Sequence, residues 1–420
     1  MTTVVPPTVS IRAAGSIRPR PAWAGWTRTS NDVTGQFLAA AGQPGCISLA
    51  GGLPAAELYP IDAVRMAADR ALTRWGAAAL EYGPIEGFPA LRAAIAERIS
   101  AATGGTFRSA NVLLTTGAMQ GLDLLGKALV DPGDLIVAQF PTYLGALDAW
   151  RPRMPRYEHL GWDPELPDTD ASLRAAKFVY AVPNFSNPTG VLVPQGQRAA
   201  LLERVTRAGT WLVEDDPYLA LQLDEPVGPG LMGLDVAGRA PGKGPYDGRV
   251  VYLGTLSKSV APGLRVGWAI AEPEMIRMLT LAKQCSDLSS SMFAQAVALE
   301  LLEAHVEDAH VPLILACYRE RRDALYELAV RELGEWFEMD RPSGGMFLWL
   351  RARDPGFDTD ALYRRALTEG VAFVPSSVFD PDGSLNTAMR VNFTRNGPEP
   401  MAEGVRRLAR AIRGYLAEEG

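Results

Sequence analysis

The sequence predicts an α/β fold in which a large domain with a mostly parallel sheet flanked by helices precedes a smaller α+β domain. Between residues 61 and 295, short apolar stretches alternate with helical stretches. Such alternation is typical of parallel strands covered by helices on both faces. From residue 296 the pattern changes to one long helical stretch, followed by strands near residues 345–350 and 389–393.

Three segments follow from these patterns. Residues 1–60 are rich in Pro, Gly and small polar residues, which break regular structure, so we expect an N-terminal arm. Residues 61–295 form the predicted large domain and residues 296–420 the predicted small C-terminal domain, which should begin with one helix running to about Arg322. Short apolar runs predict strands of the large sheet at residues 112–114, 135–138, 178–182 and 211–213.

Composition excludes several kinds of partner. The chain has 420 residues, of which 47% are apolar, enough for a large core and more than one domain. A net charge of -7 gives no basic field for nucleic acid, and no apolar run is long enough to predict a membrane span. Residues 1–16 lack the pattern of a secretory signal. The three cysteines are scattered without metal or disulfide spacing, so we expect a cytoplasmic protein with no metal site.

The segment 254–265 carries the most specific functional signal. It places Lys258 between two serines on the loop that leaves a predicted strand at residues 249–253, and it ends at Arg265. Ligands of α/β sheets bind at such loops, and a desolvated Lys readily forms a Schiff base. Because hydroxyls and an Arg suit a phosphate, the segment indicates pyridoxal 5'-phosphate (PLP). Taken alone, a Lys in a serine-rich loop is usually a solvated surface charge.

Two further motifs supply groups that the PLP ring requires. Asn187 lies in a loop after an apolar strand, where its amide can donate to the 3'-oxygen of the ring, although Asn-Pro is also an ordinary turn former. Asp215 follows the strand at 211–213 and can keep the pyridine nitrogen protonated. Tyr218 can reach the 3'-oxygen beside Asn187. The alternative for Asp215 is a cap of a helix or turn.

In order and spacing, these motifs resemble those of the class I and II aminotransferases, PLP enzymes of fold type I. Within that family the chain most resembles the 2-aminoadipate and related aminotransferases. The resemblance extends through residues 47–54, 81–84, 187–190 and 389–394. It implies an enzyme that moves an amino group from an α-amino acid to a 2-oxo acid such as 2-oxoglutarate.

The resemblance also implies roles for individual residues. Lys258 would hold PLP and move a proton between the substrate α-carbon and the cofactor. Thr255, Ser257 and Arg265 would bind the phosphate, since Arg donates two charge-assisted hydrogen bonds to its oxygens. Tyr143 would stack on the pyridine face, although a Tyr at the edge of the core is an equally good interpretation of this position.

Residues 113–121 indicate a strand, a glycine turn and a helix start, where the backbone N–H groups of Ala118 and Met119 can bind an anion. Many members of the family carry a hydroxyl or amide side chain at these two positions, so here only the backbone would bind. Tyr82 matches a residue that, in this family, reaches the phosphate of the partner subunit. The resemblance therefore implies a homodimer.

The substrate-binding residues implied by the resemblance are Arg390, Asn187 and Gly52. Arg390 would bind the α-carboxylate, which orients the α-proton toward Lys258. Without the motif, an Arg on a strand is more often part of a surface ion pair.

The expected amino donor is apolar or aromatic. Relatives that accept long acidic side chains tend to carry an Arg in the first helix, and residues 31–42 contain no basic residue. The start of the chain offers Trp23, Trp26 and Arg28 just upstream, and Phe37 and Leu38 within this stretch.

Two alternatives stay open. A PLP-dependent β-lyase or decarboxylase would use Lys258, Asp215 and Asn187 unchanged, because the bond broken depends on which α-substituent stands perpendicular to the ring. A PLP-binding sensor domain of a transcriptional regulator would need a basic DNA-binding domain ahead of the core, for which residues 1–60 are too short.

Overall fold

The computed structural model describes residues 23–28, 44–162, 169–239 and 244–419. Most of the arm, including Phe37 and Leu38, lies outside the described residues. The helices of the described part are α1 (Ile61–Trp75), α2 (Pro89–Thr103), α3 (Ala118–Leu129), α4 (Leu144–Trp150), α5 (Thr169–Ala175), α6 (Gln195–Ala208), α7 (Leu231–Ala237), α8 (Pro273–Gln284), α9 (Met292–Glu303), α10 (Val306–Leu333), α11 (Thr359–Thr368) and α12 (Pro398–Glu419).

The strands of the described part are β1 (Ile47–Ser48), β2 (Val112–Thr115), β3 (Leu135–Gln139), β4 (Arg156–Leu160), β5 (Ala176–Ala181), β6 (Trp211–Asp215), β7 (Val250–Thr255), β8 (Gly267–Ile270), β9 (Phe337–Met339), β10 (Phe347–Ala352), β11 (Val371–Ala372), β12 (Val374–Pro375) and β13 (Ala388–Asn392).

A seven-stranded sheet forms the centre of the molecule. Its order is β2-β8-β7-β6-β5-β3-β4, and the five strands from β7 to β4 run parallel. Strand β8 is antiparallel to both of its neighbours. Strands β2 and β3 are buried along their whole length, as expected where helices cover both faces of a sheet. The predicted, mostly parallel sheet flanked by helices is confirmed.

A smaller antiparallel sheet follows near the C-terminus, in the order β12-β13-β10-β9. Strand β1, from the described end of the arm, pairs in parallel with β11 of this part of the chain. The α+β character predicted for the C-terminal part is therefore present, whereas the boundaries at residues 60 and 295 stay predictions. No helix in the described ranges is long and apolar enough to cross a membrane.

The single long helix expected from residue 296 to Arg322 is two helices. Helix α9 ends at Glu303 and α10 begins at Val306, and between them His305 adopts a left-handed conformation with φ of 52°. One left-handed residue breaks the chain of i to i−4 hydrogen bonds and redirects the axis. Helix α9 packs against α1, beside the large sheet.

Candidate active site

The sheet topology brings the predicted residues to one edge. Strands β5, β6 and β7 are parallel neighbours, so the residues that follow them meet at their carboxyl ends. Asn187 follows β5, Asp215 ends β6, and Lys258 lies three residues beyond β7. A cavity of about 470 Å³ opens there. The predicted site residues that line it are Gly52, Ala118, Met119, Tyr143, Asn187, Asp215, Tyr218, Thr255, Ser257, Lys258, Arg265 and Arg390.

Tyr82 is the one predicted site residue that does not line this cavity. It follows the short helical turn after α1 and is 83% exposed. Of the aromatic residues expected near the substrate, Trp23 is 80% exposed. Trp26 lines a neighbouring cavity, which shares Leu144 with the first one.

The amine of Lys258 is directed into the cavity wall formed by the arm. Its Nζ donates a hydrogen bond to the carbonyl of Gly52 at 2.8 Å. Burial lowers the pKa of Lys258 to about 8, and the positive charges of Arg390 and Arg265 contribute to the same shift. A substantial fraction of this amine is therefore neutral near physiological pH, which a nucleophile or a proton acceptor requires.

Asp215 is held through one of its two carboxylate oxygens. The hydroxyl of Tyr180 donates to Oδ2 at 2.7 Å. Oδ1 is buried and has no hydrogen-bond partner among the described residues. Burial raises the pKa of Asp215 to about 7, against the opposing effect of the Tyr180 hydrogen bond. A buried carboxylate oxygen without a donor is costly, so this atom fits a ligand that brings an N–H group, as the protonated ring of PLP does.

The opposite end of the cavity is built for an anion. Gly117, with φ of 77°, turns the chain from β2 into α3, whose first two residues are Ala118 and Met119. Arg265 lies directly beside this turn and donates to the carbonyl of Thr116 at 3.0 Å. A Cβ atom at Gly117 would lie 2.5 Å from Nη2 of Arg265. The turn thus needs glycine both for its conformation and for the close approach of the guanidinium.

Two hydroxyls complete the anion-binding end. Thr255 Oγ1 and Ser257 Oγ lie 2.8 Å apart, and Thr255 also donates to the carbonyl of Val266 at 2.9 Å. Hydroxyls, a guanidinium and the N-terminus of a twelve-residue helix together have the chemistry that a phosphate group requires. The residues present therefore fit PLP at both ends of the cavity.

Arg390, on strand β13, comes from the small sheet into the same cavity. Its Nη1 donates to Oδ1 of Asn187 and its Nη2 to the carbonyl of Ala50, each at 2.6 Å. Its Nε is buried and has no hydrogen-bond partner in the described part of the chain. The guanidinium lies 4.2 Å from the ring centroid of Phe347. Burial lowers the pKa of Arg390 to about 10.

The aromatic residues of the site are packed firmly. Tyr143 precedes α4, and its ring covers Gly145, where a Cβ atom would lie 2.5 Å from the phenol oxygen. Burial raises the pKa of Tyr143 to about 12, so its hydroxyl stays protonated. Tyr218 meets Phe347 edge to face, and burial raises its pKa well above the ordinary value.

Sequence reasoning missed two features next to the cavity. One is Tyr180, which the sequence places only in an apolar strand. The other is Lys283 at the end of α8, whose side chain is fully buried. Its amine donates to Asp287 at 2.6 Å and to Ser290 at 2.9 Å, beside the turn at Thr116. No local signal distinguishes Tyr180 from an ordinary core tyrosine, or Lys283 from a surface lysine.

Solved structures of similar shape place this architecture among PLP enzymes of fold type I. One is an alpha-aminoadipate aminotransferase from Thermus thermophilus, complexed with N-(5'-phosphopyridoxyl)-L-leucine. It is 38% identical, has a TM-score of 0.80, and the match covers 94% of this chain and 100% of that one. Another is a kynurenine aminotransferase from Pyrococcus horikoshii, in complex with PMP. It is 32% identical with a TM-score of 0.85, over 94% of this chain and 97% of that one.

The family model of aminotransferases of class I and II matches residues 45–408, so the chain belongs to that family. A 2-aminoadipate transaminase from Thermus thermophilus is 40% identical over 380 residues, 89% of this chain and 92% of that protein. An aromatic-amino-acid aminotransferase from Thermococcus litoralis is 36% identical over 378 residues, 87% and 88% of the two chains. The protein is a PLP-dependent aminotransferase that acts on amino acids and 2-oxo acids.

Proposed function

We propose that this aminotransferase takes its amino group from an apolar or aromatic α-amino acid and passes it to 2-oxoglutarate. The observation that carries the proposal is the convergence, in one cavity, of a partly neutral Lys258 amine, an unpartnered oxygen of Asp215 and the guanidinium of Arg390. Each of these groups has a separate task in the reaction.

Lys258 holds PLP and moves the proton. When bound, PLP supplies an electron-withdrawing ring that stabilises the α-carbon after its proton has left. The amine of Lys258 would accept the proton of the substrate α-carbon and hold it for return, which its lowered pKa permits. The carbonyl of Gly52 keeps the amine in place through the 2.8 Å hydrogen bond and lines the substrate side of the cavity.

Three groups orient the ring. Asp215, whose Oδ1 has no partner among the described residues, would face the ring nitrogen and keep it protonated. Asn187 and Tyr218 would donate to the 3'-oxygen, while Tyr143 would cover one face of the ring. The residues proposed for the phosphate are Ala118, Met119, Thr255, Ser257 and Arg265, together with Tyr82 of the partner subunit.

Arg390 binds the substrate α-carboxylate. Its Nη atoms now donate to Asn187 and Ala50, and its Nε has no acceptor among the described residues. A carboxylate can accept from Nε and one Nη together, which is the bidentate arrangement that guanidinium favours. With the carboxylate fixed, the amine and the α-proton of the substrate point toward Lys258.

The preference for an apolar donor rests on the charges of the cavity. Its cations in the described part of the chain are Lys258, Arg265 and Arg390, and each has one of the tasks above. The remaining wall is largely apolar, with Leu53, Leu144, Phe347, Val374 and Phe379. A donor with an acidic side chain would therefore lose water without gaining a described cation. The acceptor is proposed from the family resemblance, and the second carboxylate of 2-oxoglutarate would need a cation from outside the described residues.

A homodimer belongs to the same proposal, because Tyr82 is too exposed to serve the cavity of its own chain and matches a residue that reaches across the interface in this family. A cytoplasmic location, expected from the scattered cysteines, stays a prediction.

The test is the absorbance spectrum of the purified holoenzyme during addition of single amino acids. Phe, Leu and 2-aminoadipate should be compared at equal concentration. We expect the visible band of bound PLP to bleach most readily with Phe or Leu and to return on addition of 2-oxoglutarate. Preferential bleaching by 2-aminoadipate would overturn the donor preference. Return of the band only with monocarboxylic 2-oxo acids would overturn the acceptor, and release of pyruvate and ammonia from cysteine conjugates without bleaching would indicate a β-lyase.

A further inference from the structure

Tyr180 lies directly behind the cavity and does not line it. It is fully buried on β5, and its ring packs edge to face against Trp150, with 5.1 Å between the centroids. Trp150 is itself fixed by a 2.8 Å hydrogen bond from Nε1 to the carbonyl of Leu122. The phenol of Tyr180 is therefore held rigidly at the position where its hydroxyl meets Asp215.

The hydrogen bond from Tyr180 makes the two carboxylate oxygens of Asp215 different. The hydroxyl of Tyr180 donates to Oδ2 at 2.7 Å, while Oδ1 has no partner in the described structure. Register explains the contact: Tyr180 is paired with Val213 across the parallel strands, and Asp215 lies two residues further on the same face of the sheet.

We propose that Tyr180 is a positioning residue of the reaction, which acts through Asp215 to keep the ring nitrogen of PLP protonated. The inference rests on the proposed contact between Asp215 and that nitrogen. A donor on Oδ2 stabilises the carboxylate form, and a carboxylate that is already stabilised takes the proton of the ring nitrogen less readily. The same bond prevents the carboxylate from rotating, so Oδ1 stays directed into the cavity.

The direct environment of Asp215 supports this assignment. Asp216 adds a second buried carboxyl group nearby, and it disfavours a charge on Asp215. Asp216 accepts its own hydrogen bond from Asn184 at 2.9 Å. Of the described side chains, Tyr180 is the one that donates to Asp215, so it carries the whole of the compensation for that buried charge.

Tyr180→Phe removes the hydroxyl and keeps the ring. We expect the 15N chemical shift of PLP labelled at the ring nitrogen to move toward that of a neutral pyridine. The dissociation constant of PLP should rise about tenfold, the size expected for one hydrogen bond to a charged group, and kcat should fall while KM changes little. The matched control is Tyr246→Phe, which removes another Tyr–Asp hydrogen bond, partly buried, to Asp235; neither residue lines the cavity.

Four variants separate the outcomes. The inference is supported if Tyr180→Phe moves the 15N shift and Tyr246→Phe does not. It is overturned if Tyr180→Phe binds PLP with an unchanged 15N shift, or if both Tyr variants move it alike. Asp215→Asn tests the underlying proposal: if it leaves the shift unchanged, the role of Asp215 is wrong as well. Tyr180→Phe could lose cooperative melting as apoprotein, and 3-fluorotyrosine at position 180 is then the second variant. Its hydroxyl is a stronger donor, so it must tighten PLP binding. Unchanged or weaker binding overturns the inference.

Discussion

At the scale of single residues, the site works by withdrawing charged groups from water. The pKa of Lys258 is lowered and that of Asp215 is raised for the same reason, because burial disfavours the charged form of each. Arg390 is buried among aromatic rings and still charged, since even a pKa of about 10 leaves it protonated at neutral pH. The cavity therefore presents, in Lys258 and Asp215, two groups whose proton can move, and, in Arg390, a permanent cation that we propose for the substrate carboxylate.

The pKa of Lys258 predicts how the apoprotein takes up PLP. Only the neutral amine reacts with an aldehyde, and with a pKa of about 8 its neutral fraction rises roughly tenfold between about pH 7 and 9 and then levels off. We expect the rate of PLP incorporation, followed by the visible absorbance, to show this plateau. The control is the reaction of PLP with free N-acetyl-lysine, because the ionisations of PLP affect both rates alike. The rate of this control reaction should continue to rise beyond pH 10. A protein rate that climbs in parallel with the control would show that burial does not activate Lys258.

Most residues of the cavity could be predicted because each belongs to an ordered motif with recognisable neighbours. Tyr180 could not, since a Tyr inside a buried strand is ordinarily part of the core and its partner is 35 positions away in the chain. Only the register of β5 against β6, which the sequence does not specify, brings its hydroxyl to Asp215.

At the scale of elements, helix ends decide where the anion-binding turn lies. The turn before α3 is held from behind by the end of α8: Lys283 donates to Asp287, Ser290 and Gln120, and Gln120 in turn accepts from the backbone N–H of Thr116 at 2.8 Å. This network around the buried Lys283 fixes the backbone of Ala118 and Met119, whose side chains cannot contact an anion through polar groups.

Lys283→Met should therefore destabilise the apoprotein by about 2–3 kcal/mol, below the usual cost of breaking a wholly buried pair because Asp287 is partly exposed. Lys127→Met is the matched control, since Lys127 and Asp123 form an ion pair of the same i, i+4 spacing in which both partners are partly exposed. Its loss should cost less than about 1 kcal/mol. Urea unfolding of the two apoproteins measures the difference, and equal costs would contradict a structural role of the buried lysine.

The break between α9 and α10 shows that local propensity alone does not predict where a helix ends. Residues 296–322 are rich in helix-forming residues and carry neither Gly nor Asn at the break, and their one Pro, Pro312, lies seven residues beyond it, so local propensity gives no reason for a break at His305. The structure nevertheless places His305 in a left-handed conformation, which lets α9 pack on α1 while α10 continues toward α12. Packing between distant helices outweighs the cost of about 1 kcal/mol or more for one such residue.

At the scale of the whole molecule, the fold was predictable because strand–helix alternation extends over more than two hundred residues, from 61 to 295, so an error at one element does not change the predicted fold. The homodimer, in contrast, is predicted only through the family resemblance and stays a prediction, since a single sequence states which residues are apolar but not which of them meet a second copy. Tyr82 shows the difference: its exposure in one chain has a functional explanation only if a partner subunit receives it.

Complementation between two inactive chains tests that explanation. Lys258→Ala should abolish turnover if Lys258 holds PLP as proposed, and Tyr82→Ala should weaken PLP binding about tenfold or more by removing a hydrogen bond to the charged phosphate. If Tyr82 serves the partner, a mixed dimer contains one intact site, with Lys258 from one chain and Tyr82 from the other. Refolding the two chains together at limiting PLP should then restore roughly a quarter of the wild-type sites, because random pairing makes about half of the dimers mixed. The control is Lys258→Ala refolded alone, without the second chain. Activity of the mixture no greater than the sum of the separate variants would place Tyr82 in the cavity of its own chain or in no cavity at all.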